Sequence, residues 1–525
     1  MNKYKKIKIQ KECDSEFNDL VLSLKKIFNE SPPLAKLFRT DSRGYIYDTG
    51  TNKLLSCNEI VYNLLLKLFS SNVNQAIENY IDEYGAKTFI IAANTVISVI
   101  KKECILSLKS ATPFGISRNI EDFKERINTS LEILFLELSE ACNLRCDYCV
   151  YNNYVKTKRN HGRRHMSLST AQLAIQYLYK HSFKRKKISL GFYGGEPLLK
   201  FDLLQSIIHY AGIVLNKDEL NFSITTNGTL VNNEIADFFA RNNFSIHVSL
   251  DGPEEIHNEF RKDKKGIGSF NRALKGIKYL VDAYGDLSKK KISLSMVYTP
   301  PFSSNRIEHI ASLWNEFPWL PKEMNLNITY PSPGTILKKN NYEFDLPEDK
   351  NLQQWAFETY KNRYLKNGTS HPIADSIMEH AFAILIQRPI YKTDINQGFM
   401  NGCCIPGVRR IYVDVTGKFH LCEKISTDAP VIGSVKSGIN QEVIDNVYIN
   451  GYEEMCKPNC SKCWVVRLCD SCFAYAFENG ALDVASFKKQ CTIVKETQEK
   501  YLRYYCMLME FNPFGLDYLY DRKME

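Results

Sequence analysis

Long hydrophobic runs are missing from this chain of 525 residues. The longest, Phe89 to Ile100, falls short of the roughly 20 residues that a bilayer-spanning helix needs. A secretory signal is missing too, because Met1 to Glu12 is charged throughout. Charge of one sign does not dominate: 68 basic residues stand against 59 acidic ones, a net charge of +9. These absences give no reason to expect a membrane or nucleic-acid partner, and the chain reads as cytoplasmic. Two local basic runs, Lys156 to His165 and Lys184 to Lys187, read either as solvated surface or as a face for an acidic peptide. The apolar content is ordinary, and the length suggests three or more domains.

Cysteine is not scarce. Of 16 cysteines, eleven fall within 142–149 and 403–472. Clustered C-x2-C pairs in a large chain argue for metal rather than for disulfides. The sharpest group is Cys142-Asn-Leu-Arg-Cys146-Asp-Tyr-Cys149, with the spacing C-x3-C-x2-C. It follows the apolar run Leu131 to Leu138, which reads as a strand, so the loop leaves a strand end, where α/β folds build their sites. Three thiolates on one loop can hold three corners of a [4Fe–4S] cube and leave one iron open to a ligand. The alternatives are a zinc knuckle or three free thiols.

From residue 131 strands and helices alternate. Strands are expected at 131–138, 187–193, 220–226, 244–250, 291–298 and 324–330. Helices are expected near 168–180, 201–215, 231–242, 269–284 and 304–316. Six β/α steps imply a parallel sheet. Three strand ends carry glycine-containing loops: Gly194-Gly195-Glu196-Pro197, Thr225-Thr226-Asn227-Gly228 and Ser249-Leu250-Asp251-Gly252, the last followed by His257 and Arg261. The glycines would let the backbone approach a ligand, and Glu196 could accept from an ammonium group.

The cysteine loop, with Tyr148 before its third cysteine, and the loops behind it resemble radical S-adenosylmethionine (SAM) enzymes. The resemblance implies an α/β fold with a partial (β/α)6 radical SAM barrel over 131–335. It implies a [4Fe–4S] cluster on Cys142, Cys146 and Cys149 whose open iron chelates SAM. It places Tyr148, Gly194, Gly195, Glu196, Asn227, Ser249, Asp251 and Arg261 around SAM, with Glu196 toward the amino group and Ser249 and Arg261 toward the ribose or carboxylate.

A second cysteine region follows. Cys403 and Cys404 precede the strand-like Arg410 to Val415 and then Gly417-Lys-Phe-His-Leu-Cys422. Cys460-x2-Cys463-x5-Cys469-x2-Cys472 runs on to Cys491, and five residues between C-x2-C pairs are too few for a zinc ribbon. The pattern resembles the SPASM extension of radical SAM enzymes, which implies two auxiliary [4Fe–4S] clusters. Cys404, Cys422 and Cys472 would serve the first, with Cys403 as an alternative or a fourth ligand. Cys460, Cys463, Cys469 and Cys491 would serve the second. Cys13, Cys57, Cys104, Cys456 and Cys506 read as ordinary thiols. By the same resemblance Glu423, next to Cys422, is a candidate general base, with a surface glutamate as the alternative.

At the front, Gly44 to Asp48 and Lys53 to Cys57 flank Thr49-Gly-Thr-Asn52 and read as a hairpin, with helical periodicity after it. This resembles the winged-helix-like peptide-recognition domain of peptide-modifying radical SAM enzymes. The expected order is an N-terminal extension (1–30), that domain (31–110), a linker (111–130), the radical SAM core (131–335), a bridge (336–398), the SPASM domain (399–495) and a C-terminal helix (496–525). The whole resemblance implies an oxidoreductase that modifies a ribosomally made precursor peptide, with thioether cross-linking preferred and a flavodoxin or ferredoxin as electron donor. Sulfatase maturation to formylglycine is the alternative enzyme, and a non-catalytic iron–sulfur carrier the alternative of another class.

Overall fold

The computed structural model describes residues 16–29, 31–112, 114–115, 122–151, 161–215, 219–331, 350–366, 368, 371–393, 395–396, 398–399 and 402–522. Most of the N-terminal extension, Cys13 and the first half of the basic run Lys156 to His165 lie outside these residues.

The front of the chain is a three-stranded antiparallel sheet, β1 (Ala35–Arg39), β2 (Gly44–Asp48) and β3 (Lys53–Cys57), in that order. The hairpin expected from sequence is β2–β3. Its turn is held by Asp48, whose Oδ2 accepts from the Thr51 amide at 2.8 Å, while Oδ1 takes the distant Leu106 amide at 2.9 Å. Strand β1 is not expected from sequence, since Ala-Lys-Leu-Phe-Arg has no clean alternation. Three helices follow, Glu59–Ser70, Val73–Tyr84 and Ala86–Glu103. Asn58 and Asn72 cap the first two by accepting from the amides three residues on. Leu64, Leu68, Ala76, Tyr80, Phe89 and Ala92 fill the core between helices and sheet.

The expected linker 111–130 is more than a linker. It holds the short strand β4 (Phe114–Gly115) and a helix, Phe123–Thr129, whose Phe123 and Ile127 pack into the main core. All six expected core strands are present, with slightly moved ends: β5 (Ile133–Ser139), β6 (Lys187–Gly194), β7 (Glu219–Thr226), β8 (Ser245–Ser249), β9 (Ile292–Val297) and β10 (Asn325–Thr329). They run parallel in sequential order. Alternation fixes their faces. Leu190, Ile224, Val248 and Leu294 are buried under the connecting helices, while Ser223, Thr225, Ser249 and Ser295 are half-buried on the opposite, polar face. The helix Phe201–Leu215, with the turn from Pro197, is long and apolar enough to cross a membrane by composition. Here it buries Leu204, Ile207, Ile208, Ala211 and Leu215 in the core.

Beyond the bridging helices Lys350–Lys366 and Pro372–Gln387, the short strand β11 (Gly398–Phe399) pairs with β4. The chain then returns to the main sheet. Strand β12 (Arg410–Val413) adds parallel to β5, Arg410 opposite Ile133 and Val413 opposite Leu136. Strands β13 (Lys418–His420), β14 (Gly433–Ser434) and β15 (Gly438–Ile439) continue antiparallel, giving one ten-stranded sheet whose end strands do not pair with each other. The last long helix, Val484–Phe511, begins well before the expected boundary at 495, so Cys491 sits inside it.

Candidate active site

At the C-terminal ends of β5 to β9 four loops interlock. The cysteine loop carries Cys142 and Cys146, 9% and 8% exposed, and half-buried Cys149. Burial pushes the thiols of Cys142 and Cys146 up to about 12 and that of Cys149 up to about 11, and each also feels another cysteine of the three. Donors point at the first sulfur: the Leu144 amide lies 3.4 Å from Cys142 Sγ and Asn227 Nδ2 lies 3.7 Å from it. Among the described residues no three side chains converge tightly enough to hold a single metal ion. A cube presents its iron atoms at separate corners, so three spaced, partly shielded thiols that receive N–H donors fit it.

Gly194 and Gly195 make a close approach, but to the protein rather than to open space. A Cβ on Gly195 would meet the Ala141 carbonyl oxygen at 2.3 Å, and one on Gly194 would meet that of Ser139 at 2.4 Å. The Gly195 and Glu196 amides donate to these same two carbonyls, Ser139 and Ala141, at 2.7 and 2.9 Å. The glycines therefore let the β6 loop pack directly under the start of the cysteine loop.

Glu196 differs from expectation in the same way. It is fully buried, and both oxygens are used: Oε1 accepts from Thr226 Oγ1 at 2.8 Å and the Leu198 amide at 3.1 Å, and Oε2 from the Asn227 amide at 2.8 Å. It ties the β6 and β7 loops together. Asn227, placed by this bond, reaches Asn143 Oδ1 at 2.8 Å and Cys142.

Arg261 is engaged within the protein as well. Its guanidinium grips Asp251 through Nε to Oδ2 at 2.9 Å and Nη2 to Oδ1 at 3.1 Å, and lies 5.2 Å from the Tyr148 ring centre. Tyr148 donates to the same Asp251, and the Val297 amide donates to it at 3.0 Å. Burial works against the Asp251 carboxylate, but the Arg261 guanidinium beside it holds it below its usual range. His257 takes the Asp251 amide on Nδ1 at 3.4 Å and meets Ser269 through Nε2 at 2.9 Å, and burial keeps it neutral, pushed down to about 3. Ser249 is half-buried on the polar sheet face and is the open side chain of this set.

In the second cysteine region two groups form. Cys463, Cys469 and Cys491 each sense Cys460, whose own cysteine partner is Cys456. Cys472 is close to Cys403, Cys404 and Cys422. Cys403 and Cys404 are adjacent but face differently: Cys403 is half-buried with its thiol directed at the Ser471 carbonyl at 3.7 Å, and Cys404 is exposed. Cys456, read from sequence as an ordinary thiol, is fully buried and hydrogen-bonded to Cys460 one helical turn on, with Cys403 nearby. The i, i+4 spacing on Tyr452–Cys460 was the available signal. Glu423 is no surface glutamate. Its side chain is 13% exposed, Oε1 lies 3.5 Å from Arg410 Nη1, and Oε2 is buried without a partner among the described residues.

Residues 136–313 match the family model of the radical SAM superfamily. The chain carries a radical SAM domain. The cysteine-type anaerobic sulfatase-maturating enzyme of Clostridium novyi is 34% identical over 154 residues, 29% of this chain and 40% of that one. The radical SAM cyclopropyl synthase TigE of Paramaledivibacter caminithermalis is 27% identical over 232 residues, 40% of this chain and 43% of that one. The chain thus spans less than half the length of either relative. Among solved structures, native anSMEcpe with bound AdoMet and the Cp18Cys peptide is similar at a TM-score of 0.52 and 20% identity, covering 75% of this chain and all of that one, which is a likeness of fold. A radical SAM domain implies a [4Fe–4S] cluster and SAM, and Cys142, Cys146 and Cys149 are the thiols that would hold the cluster.

Proposed function

We propose that the chain is a radical SAM maturase of a ribosomally made peptide, with cross-linking through a cysteine sulfur as its reaction. The observation that carries this is a groove in the N-terminal domain. It offers about 150 Å³ between β3 and the helix Ala86–Glu103, lined by Leu55, Cys57, Thr95, Val96, Val99 and Ile100. Among the described residues β3 pairs only with β2, which leaves the backbone donors and acceptors of its other edge available. The opposite side of the domain is occupied: Phe38, Tyr45 and Tyr47 pack on Val465, Leu468 and Leu502, and Lys36 pairs with Glu499 at 2.7 Å. An apolar groove beside a free strand edge suits an extended peptide that adds a strand and seats alternate side chains.

When bound, the cluster and SAM supply a carbon radical that takes a hydrogen atom. Joining sulfur to carbon also releases the thiol proton and one electron. Glu423, buried beside Cys422 with one unpartnered oxygen, is our candidate for holding that proton. The two cysteine groups of the second region are our candidate sites for auxiliary clusters, about twelve irons in all with the first.

Val99→Asp in the reconstituted full chain tests the reading. Affinity for a small cysteine-containing precursor peptide should drop at least roughly tenfold, the effect of placing a charge in an apolar contact. SAM cleavage without peptide should persist. Unchanged affinity would defeat the peptide-recognition role. Sulfatase maturation is the second reading, favoured by the similarity to the Clostridium novyi enzyme. Formylglycine on a sulfatase-derived peptide, with no loss of two hydrogens from the small precursor peptide, would select it.

A further inference from the structure

The cysteine loop is flanked by two other loops. On one side residues 161–165 bridge to the end of β5 through Ser139 and His165; on the other the hairpin 262–268 bridges through Leu144 and Asp263. Arg145 joins the second loop to the cysteines. Its amide donates to the Lys262 carbonyl at 2.6 Å, and its guanidinium donates to the carbonyls of Cys142 and Leu144 at 2.8 and 2.7 Å. His161 senses both Arg145 and Lys264, so the two flanks close around the same loop.

The charges of this rim are unbalanced. Its carboxylates are engaged: both oxygens of Glu140 accept from Arg164 Nε at 3.0 Å. Asp263 accepts from the amides of Lys265 and Ile267 at 2.9 and 3.0 Å and pairs with Arg272 at 3.2 Å. Nearby Glu259 pairs with Arg306 at 2.9 Å. Arg163, Lys264 and Lys265 are exposed, and among the described residues no carboxylate pairs with them. The loops on both sides of the cysteine loop therefore carry free positive charge.

We propose that this rim is the docking surface for an acidic one-electron carrier protein, which reduces the site held by Cys142, Cys146 and Cys149. The inference rests on the radical SAM reading. Radical formation from SAM takes one electron, so the carrier is oxidised by one electron and the site reduced by one, with no proton or group transferred. Electron-transfer encounters are small and short-lived, below about 1,200 Å² of buried surface, and charge supplies their speed and orientation. A precursor peptide has its own groove on the N-terminal domain, whereas a carrier must approach the cysteine loop itself.

The test uses the reconstituted full chain, with a flavodoxin and its reductase as one source of electrons and dithionite as the other. In Arg163→Glu/Lys264→Glu/Lys265→Glu, flavodoxin-driven 5′-deoxyadenosine formation should fall roughly tenfold or more and lose its dependence on ionic strength. Flavodoxin affinity, read by titration of flavin fluorescence, should fall with it. Dithionite, being small, should drive both proteins equally. Unchanged flavodoxin use would overturn the proposal, and so would loss with both reductants, which would make the rim structural. A matching loss in Lys488→Glu/Lys495→Glu, beside Cys491, with the rim variant unaffected would move the docking face to the second cysteine region. Weakened peptide binding with flavodoxin use intact would make the rim a peptide surface. A wild-type chain that cleaves no SAM with dithionite would overturn the radical SAM reading itself.

Discussion

Asp251 and Arg261 form a buried bidentate ion pair, at 2.9 and 3.1 Å, beside the cysteine loop. Tyr148 belongs to that loop and donates to Asp251, while the Val297 amide fixes the same carboxylate from β9. The pair thus joins the cysteine loop to the ends of β8 and β9. Family likeness assigns Arg261 toward a ligand; in the structure two of its N–H groups are engaged by Asp251.

Arg261→Met should be the more damaging single change at this pair, since it strands a buried carboxylate. Removing one partner of a buried pair costs about 3–5 kcal/mol. We expect a lowered melting temperature and loss of iron from reconstituted protein, with part of the stability restored in Asp251→Asn/Arg261→Met. A single variant that keeps wild-type melting and iron content would show that the pair does not hold the loop.

Glu196 makes stability depend on pH. Burial pushes its carboxyl up from 4.5 to about 7, only partly offset by the bonds from Asn227, Thr226 and Leu198. A raised folded-state pKa contributes stability that is fully present below the unfolded value and is lost as pH rises through the folded one. The stability difference between wild type and Glu196→Gln should shrink by up to roughly 3 kcal/mol between pH 4.5 and 7, since each pH unit across that window is worth about 1.4 kcal/mol. Denaturant titrations at several pH values check this; a constant difference would mean that folding leaves the carboxyl's pKa unshifted.

Gly195→Ala places a methyl group 2.3 Å from the Ala141 carbonyl oxygen, and backbone cannot yield as a side chain can. The cost should be about 1–3 kcal/mol, felt at the cysteine loop as reduced iron content. Gly212, helical and with nothing within 4 Å of its would-be Cβ, is the control. Gly212→Ala should be neutral or stabilising by about 0.5–1 kcal/mol. Equal iron content in the two variants would refute the role of close packing.

The second cysteine region should separate SAM cleavage from maturation. Cys142→Ala, Cys146→Ala or Cys149→Ala should abolish 5′-deoxyadenosine formation. Cys472→Ala should leave some, yet yield no cross-linked peptide, because Cys472 is the member near Cys403, Cys404 and Cys422 alike. Glu423→Gln should slow maturation more than cleavage, by about 10²–10⁴-fold if it is the base. Chromatography of the nucleoside beside mass spectrometry of the peptide reads both. Normal maturation by the Cys472 variant would remove this group from the reaction.

How much of this was legible in sequence follows from the range of the forces involved. Strands β5 to β10 could be read because a sheet buried on one face writes a period of two into a short stretch, and the connecting helices write their own period. The C-x3-C-x2-C loop could be read because its ligands sit within one turn of chain. Its supports could not be assigned in the same way. Sequence shows that Gly195, Glu196 and Arg261 stand near strand ends, but whether they face a ligand or one another depends on loops brought together from separate strands. There Ala141 occupies the space above Gly195, Asn227 takes Glu196, and Asp251 takes Arg261.

The sequence by itself determined the parallel core, the three-cysteine loop and the cysteine-rich character of the second region. Each is a local spacing, and a local spacing survives without a fold. Only the tertiary structure decided that Arg410–Val413 extends the main sheet beside Ile133–Leu136, because backbone pairing leaves no signature linking partners so distant in the chain. It alone decided that Cys456 lies buried against Cys460, that Glu423 is withdrawn from solvent, and that β3, an edge strand among the described residues, borders an apolar groove. Burial and pairing are properties of the assembled surface, since what shields a side chain comes mostly from elsewhere in the chain.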